Sequence, residues 1–182
     1  MNAEPWSGRL LTLADWEALP EDNSRHYELA RGVLEGSPKP VSEHQRVVFE
    51  VAYQLRSQLP PQFVIVPEVE VIISLSSLPT VRAPDVSVVT KAATATKPAR
   101  YRACDVFLAI EALSPKTART DREVKFFEYA DAGIEHYWIV DTEEPKTLTA
   151  YRLVDGEYEL MAQGTKVTLT EPAPITIDLT SG

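Results

Sequence analysis

Residues 106–141 read VFLAIEALSPKTARTDREVKFFEYADAGIEHYWIVD, and three patterns succeed one another along them. Residues 106–113 are apolar at odd and even positions alike, as in a strand covered on both faces. Over residues 120–132, Phe126, Phe127 and Ala130 supply apolar contacts. Thr120 with Glu123 forms a capping-box pattern there, and Gly133 stands where a helix ends in a left-handed residue. Residues 136–140 are a second buried strand. Strand, helix and strand with short connections make a βαβ crossover, which predicts two parallel strands in one sheet.

Upstream, residues 42–59 place Val47, Val48, Val51, Ala52 and Leu55 at helical spacings. Ser42 is an N-cap candidate, and Pro60-Pro61 is a stop. Two strands are expected after it, at 63–73 and at 84–89, the latter opening on a proline that a strand's first residue tolerates. Residues 90–102 read as a surface loop. Nearer the N-terminus, residues 12–19 predict a short helix capped by Thr12 with Asp15, and residues 27–34 (YELARGVL) a strand, a glycine bend and a strand. Downstream, residues 147–153 and 158–163 alternate around Asp155-Gly156, the signal of a type I′ hairpin. No repeat or low-complexity tract interrupts this order. The pattern predicts one mixed α/β domain over residues 1–182, with added N- and C-terminal hairpins.

With 182 residues, 44% of them hydrophobic, the chain can build a core without disulfides, and its single cysteine allows none within the chain. The N-terminus lacks a signal-peptide pattern, and the strongest apolar run, 106–110, is too short to cross a bilayer. The expectation is a soluble, cytoplasmic protein without a membrane partner. Its net charge of −9 argues at first against nucleic acid. However, residues 91–125 carry eight basic against four acidic side chains, so a local anion-binding face is open, as is an ordinary solvated surface.

Glu111 is out of place in an apolar strand, where an unpaired carboxylate costs several kcal/mol. It stands near the strand's C-terminal end, where α/β sheets bind ligands; pairing with an arginine is the structural alternative. Asp85 alone is an ordinary Pro-Asp turn residue, but two sheet-borne carboxylates can share a cation. Oxygen ligation suits Mg²⁺ or Mn²⁺, and no zinc-like His or Cys spacing is present. Lys125 either pairs with Asp121 on a helix surface or points from the helix toward the carboxylates. Lys116, Arg119 and Arg122, at the helix entrance, are candidate phosphate-binding residues.

Together, PD at Asp85, IEALSP around Glu111, TDREVK ending at Lys125 and EHYWIVD ending at Asp141 resemble the Uma-two family of endonucleases. YEL around Glu28 and SEH around His44 match as well. That family belongs to the restriction-endonuclease-like PD-(D/E)XK superfamily, and the resemblance covers about residues 27–152. It implies a mixed core sheet flanked by helices, with Asp85 and Glu111 as metal ligands and Lys125 supplied from the next helix. The superfamily's usual lysine slot, two residues after the glutamate, holds Leu113. Glu28 and His44 are implied as accessory residues. One acid of the family pattern is missing, because Arg31-Gly32-Val33 stands where DGE is usual. The implied activity is Mg²⁺- or Mn²⁺-dependent hydrolysis of phosphodiester bonds in DNA, with a homodimer by analogy. A catalytically inactive nucleic-acid-binding or assembly module on the same fold remains the alternative.

Overall fold

A computed structural model describes residues 6, 8–20, 25–114, 117–171 and 173–180. It begins with helix α1 (Leu13–Glu17), strands β1 (Arg25–Ala30) and β2 (Val33–Pro38), and helix α2 (Ser42–Arg56). Strands β3 (Phe63–Pro67), β4 (Val71–Ser74), β5 (Thr80–Arg82), β6 (Val86–Thr90), β7 (Tyr101–Arg102) and β8 (Val106–Ala112) follow. A π-helical segment (Thr120–Lys125) then runs into helix α3 (Phe126–Asp131). Strands β9 (His136–Asp141), β10 (Thr147–Val154), β11 (Glu157–Gly164), β12 (Lys166–Leu169) and β13 (Ile175–Asp178) complete it.

The central sheet has six strands in the order β11-β10-β9-β8-β6-β3. β8 and β9 are parallel, with Leu108 beside His136 and Ala112 beside Val140, as the βαβ pattern predicts. The other neighbours in this sheet are antiparallel. Period-two alternation divides its side chains between two cores. Leu108, Ile110, Ala112, Trp138 and Val140 pack with Val47, Val51 and Leu55 of α2 and with β12 and β13. Ala109, Tyr137 and Ile139 face the other way, against Tyr129 and Ala130 of α3.

A second sheet, β2-β1-β5-β4-β7, carries the N-terminal hairpin. Its turn residues Arg31 and Gly32 both have positive φ, 48° and 78°. Only a glycine fits the second comfortably, since a Cβ there would stand 3.1 Å from the Leu11 carbonyl oxygen. α1 has the expected cap: Thr12 Oγ1 accepts from Asp15 N, and the Asp15 carboxylate accepts from Thr12 N. Asp155 and Gly156, both at positive φ, turn β10 into β11 as the hairpin signal requires.

Four expectations change. The strand expected at 63–73 is two strands in different sheets, because Pro67 offers no N–H and Glu68 turns at φ 47°. The loop at 90–102 contains a 3₁₀ turn (Ala93–Thr96) and β7. Ser42 is the first residue of α2 and not its cap, which is Val41. The capping box at Thr120 does not form, since the chain is already helical at Arg119.

Candidate active site

β6 and β8 run antiparallel with Val86 opposite Ile110. One step further along that register, just before β6, Asp85 comes beside Glu111 at the end of β8. Asp85 Oδ2 accepts the Ala112 backbone N–H at 2.7 Å, so its side chain extends the ladder and its position is fixed. Glu111 is only 4% exposed and points to the α3 side of the sheet, between Ile110 and Ala112, which face α2.

The polypeptide after β8 returns three side chains to Glu111. Lys125 Nζ lies 2.9 Å from Glu111 Oε1, and the Tyr129 hydroxyl donates to the same oxygen at 2.7 Å. Asp121 is buried beside them, its Oδ1 3.4 Å from Lys125 Nζ. Asp121, Lys125 and Tyr129 are spaced by four, and the π-helical turn brings the first two onto the inner side. Tyr137 of β9 steadies that turn by donating its hydroxyl to the Asp121 carbonyl at 2.9 Å.

Glu28 enters from β1, with Oε1 3.0 Å from Lys125 Nζ. The Lys125 ammonium therefore stands among Glu28, Glu111 and Asp121. His44, in the first turn of α2, reaches over the sheet end: its Nε2 is 2.9 Å from the Ala112 carbonyl oxygen and 3.4 Å from Asp85 Oδ2. A carbonyl can only accept, so Nε2 carries the proton. Glu28, His44, Asp85, Glu111, Asp121 and Lys125 line one pocket of about 290 Å³, with Lys39 and Glu68 also on its wall.

The electrostatics follow from counting signs. Five carboxylates, those of Glu28, Glu68, Asp85, Glu111 and Asp121, line the pocket with two ammonium groups, of Lys39 and Lys125. Burial pushes Glu111 well above the ordinary carboxylate range; Lys125 opposes this, and Asp121, Asp85 and Glu28 add to it. Asp121 is raised chiefly by burial. Burial would lower Lys125, but the carboxylates of Glu111, Glu28 and Asp121 hold its ammonium well above the usual lysine value. Glu28 shows the reverse balance: burial would raise it, yet Lys125 and Arg82 keep it at about 2. His44 is raised by Asp85 and the Ala112 carbonyl against the effect of burial.

Does this donor set suit a divalent cation? Asp121 Oδ1 is buried with no well-formed hydrogen bond, its contact being the Lys125 ammonium at 3.4 Å, and carboxylates outnumber ammonium groups in the lining. Oxygen donors of this kind fit Mg²⁺ or Mn²⁺ in chemistry. Among the described residues, no three His, Cys, Asp or Glu side chains stand in a ready metal-holding arrangement. The Lys125 ammonium occupies the centre of the acids instead.

Of the residues singled out in the sequence, Glu28, His44, Asp85, Glu111 and Lys125 meet in this pocket. Arg119 and Arg122 do not line it; they pair at the surface with Glu123 and Asp141, each at 3.0 Å. Lys116 lies outside the described residues. The acid missing at Val33 has a neighbour in Glu35, directly across the hairpin from Glu28.

Sequence reasoning passed over Tyr129 and Arg82, and took Asp121 only as a surface partner of Lys125. Asp121 and Tyr129 could have been found as a polar stripe with Lys125 at intervals of four. Arg82 could have been found by the logic that picked out Glu111, as a charge among β-branched residues.

The fold, a mixed sheet with few helices, is restriction-endonuclease-like. The chain belongs to the Uma2 family, whose model, described as "Putative restriction endonuclease", matches residues 13–180. It is also similar to a crystal structure from Anabaena variabilis described as a "putative nuclease belonging to DUF820". That likeness has a TM-score of 0.67 at 20% identity and covers 89% of each chain, which supports the fold. No curated protein matches the chain. Among the described residues, no helix is long and apolar enough to cross a membrane.

Proposed function

We propose that the chain is a divalent-cation-dependent nuclease that hydrolyses phosphodiester bonds in DNA at this pocket. One observation carries the reading: Asp85 and Glu111 come from adjoining strand ends into one pocket, with an ammonium 2.9 Å from Glu111. Asp85 and Glu111 would hold Mg²⁺ or Mn²⁺. Such a cation, when bound, supplies Lewis acidity toward water and phosphate oxygen.

The chain's own groups have separable tasks. Tyr129 and Lys125 both bond to Glu111 Oε1, so Oε2 is the oxygen that would be offered to a cation. Ala112 N occupies Asp85 Oδ2 and leaves Oδ1. His44 fixes the Ala112 carbonyl. Lys125 stabilises negative charge that grows on the phosphoryl oxygens. Arg119 and Arg122, near the helix entrance, exchange their carboxylate partners for backbone phosphates.

Purified protein with Mg²⁺ or Mn²⁺ is expected to cut DNA when offered supercoiled, linear and single-stranded DNA and RNA. Asp85→Asn and Glu111→Gln are each expected to lose about 100-fold or more in rate. If no DNA is cut under any of these conditions, the enzymatic reading fails.

A second reading, a module that binds nucleic acid without cutting it, draws on the absence of a ready metal-holding arrangement among the described residues. Thermal denaturation separates the two. A live site gains about 2.7 kcal/mol at a cation concentration 100 times Kd, whereas a relic site gains nothing.

A further inference from the structure

Arg82, at the end of β5, is 1% exposed, and its guanidinium contacts three carboxylates from three different elements. Nε and Nη2 donate to the two oxygens of Glu128 on α3, at 2.7 and 3.0 Å. Nη1 donates to Glu28 Oε2 and to Glu35 Oε2, both at 3.0 Å. Glu28 and Glu35 are cross-strand partners in the N-terminal hairpin, and like charges in that relation repel unless a cation lies between them. Arg82 is that cation, and its planar fork also grips Glu128 bidentately, which a lysine cannot do.

Both oxygens of Glu28 are engaged, with three of the carboxylate's roughly four acceptor sites taken. Oε2 takes Arg82, while Oε1 takes the Ala83 backbone N–H at 3.0 Å and the Lys125 ammonium at 3.0 Å. Each oxygen already faces a buried cationic group, Arg82 at Oε2 and Lys125 at Oε1, which a metal ion in the pocket would have to displace or oppose. Arg82 and Ala83 stand immediately before Pro84 and Asp85, so one four-residue stretch supplies both the grip on Glu28 and a carboxylate of the site.

We propose that Arg82 is a positioning residue which, acting through Glu28, holds the Lys125 ammonium against Glu111, and that Glu28 itself is not a metal ligand. Lysine's four-carbon stem offers many rotamers, and Asp121 competes for the same ammonium on the same helix. The Arg82–Glu28 pair selects the rotamer that reaches Glu111. This inference rests on the nuclease reading for its consequence in turnover, but not for the geometry it asserts.

The test uses the full chain with ¹⁵N-labelled lysine. In the wild type, Lys125 should give a slowly exchanging ammonium signal in ¹H–¹⁵N spectra, assigned by its loss in Lys125→Arg. Arg82→Lys and Glu28→Gln should each lose that signal while the melting transition remains cooperative. Both should also lower kcat about 100-fold, as a small misplacement of a reacting group does. Their KM and Mn²⁺ Kd, the latter by titration calorimetry, should stay close to wild type.

A loss of Mn²⁺ affinity in Glu28→Gln of about tenfold or more, as expected for a group that holds or orients a metal, would overturn the proposal. So would an unchanged ammonium signal in either folded variant, or the lack of one in the wild type. Should Arg82→Lys fail to fold, Glu28→Gln decides alone. If the wild type cuts nothing, the nuclease reading fails, while the ammonium signal still tests the clamp.

Discussion

His136 begins β9 on the side of the sheet away from Glu111, almost entirely buried, with its ring 4.7 Å from that of Phe107. Burial, helped by the Arg152 guanidinium against a weaker pull from Glu171, lowers its pKa to about 4. The half-exposed Glu135 carboxylate, 3.5 Å from Nε2, is the nearest acid. A histidine whose folded value lies below its unfolded one contributes fully above the unfolded pKa, about 6.5, and loses that contribution as pH falls toward 4. The loss at pH 4.5 is on the order of 2–3 kcal/mol. His136→Phe keeps the stacking and removes the proton site, so its stability should fall less than the wild type's between pH 7 and pH 4.5 in urea titrations. Parallel curves would refute the assignment. Residues of this kind differ in how readable they are. Glu111 announced itself, because a charge in an apolar strand needs a reason. Lys125 allowed two readings from spacing alone, a surface pair with Asp121 or an approach to the carboxylates. Arg82 was not read at all, because its partners lie 46 to 54 residues away and only the two sheets and α3 bring them together.

Among the elements, β13 is held in an unusual way. Gln54 of α2 exchanges two hydrogen bonds with the backbone of Asp178, at 2.9 and 2.8 Å, and Gln58 does the same with Thr176, both at 2.8 Å. Two glutamine side chains thus serve as a substitute strand along the free edge of the β12–β13 pair, which would otherwise invite another chain. Each Gln→Ala change should cost about 1–2 kcal/mol, because it leaves a donor and an acceptor of β13 unpaired or hydrated. Amide hydrogen exchange should then rise at Thr176 for Gln58→Ala and at Asp178 for Gln54→Ala, while the β8–β9 amides stay protected. Equal acceleration throughout would mean that the clamp is part of global stability rather than a local latch. The helices, hairpins and parallel pair were legible because each is written in local periodicity and turn chemistry. The division of residues 63–73 between two sheets was not, because β-branched residues fill both halves and the switch depends on Pro67 and the left-handed Glu68. The π-helical turn was also hidden: its sequence satisfies an ordinary capping box, and burial of Asp121 and Lys125 overrides that local preference.

At the scale of the whole molecule, a charge of −9 and a pocket lined by five carboxylates both oppose a polyanion. Two of the candidate phosphate-binding residues, Arg119 and Arg122, lie outside the pocket lining and pair with Glu123 and Asp141. Association with DNA, on the nuclease reading, therefore depends on a divalent cation to reverse the sign of the pocket, and not on a broad basic face. Fluorescence anisotropy with labelled DNA at about 0.1 M salt, where charges are screened beyond about 10 Å, should detect little binding in EDTA. Binding should appear on adding Ca²⁺, an oxygen-seeking cation that tolerates irregular coordination. The double variant Asp85→Asn/Glu111→Gln separates this from a general effect of ions on DNA. With two negative charges removed, it should bind DNA in EDTA at least as well as the wild type does, yet gain nothing from Ca²⁺. Wild-type binding that is equally tight with and without the cation would mean that the acidic pocket does not face the phosphates, and that DNA approaches another surface.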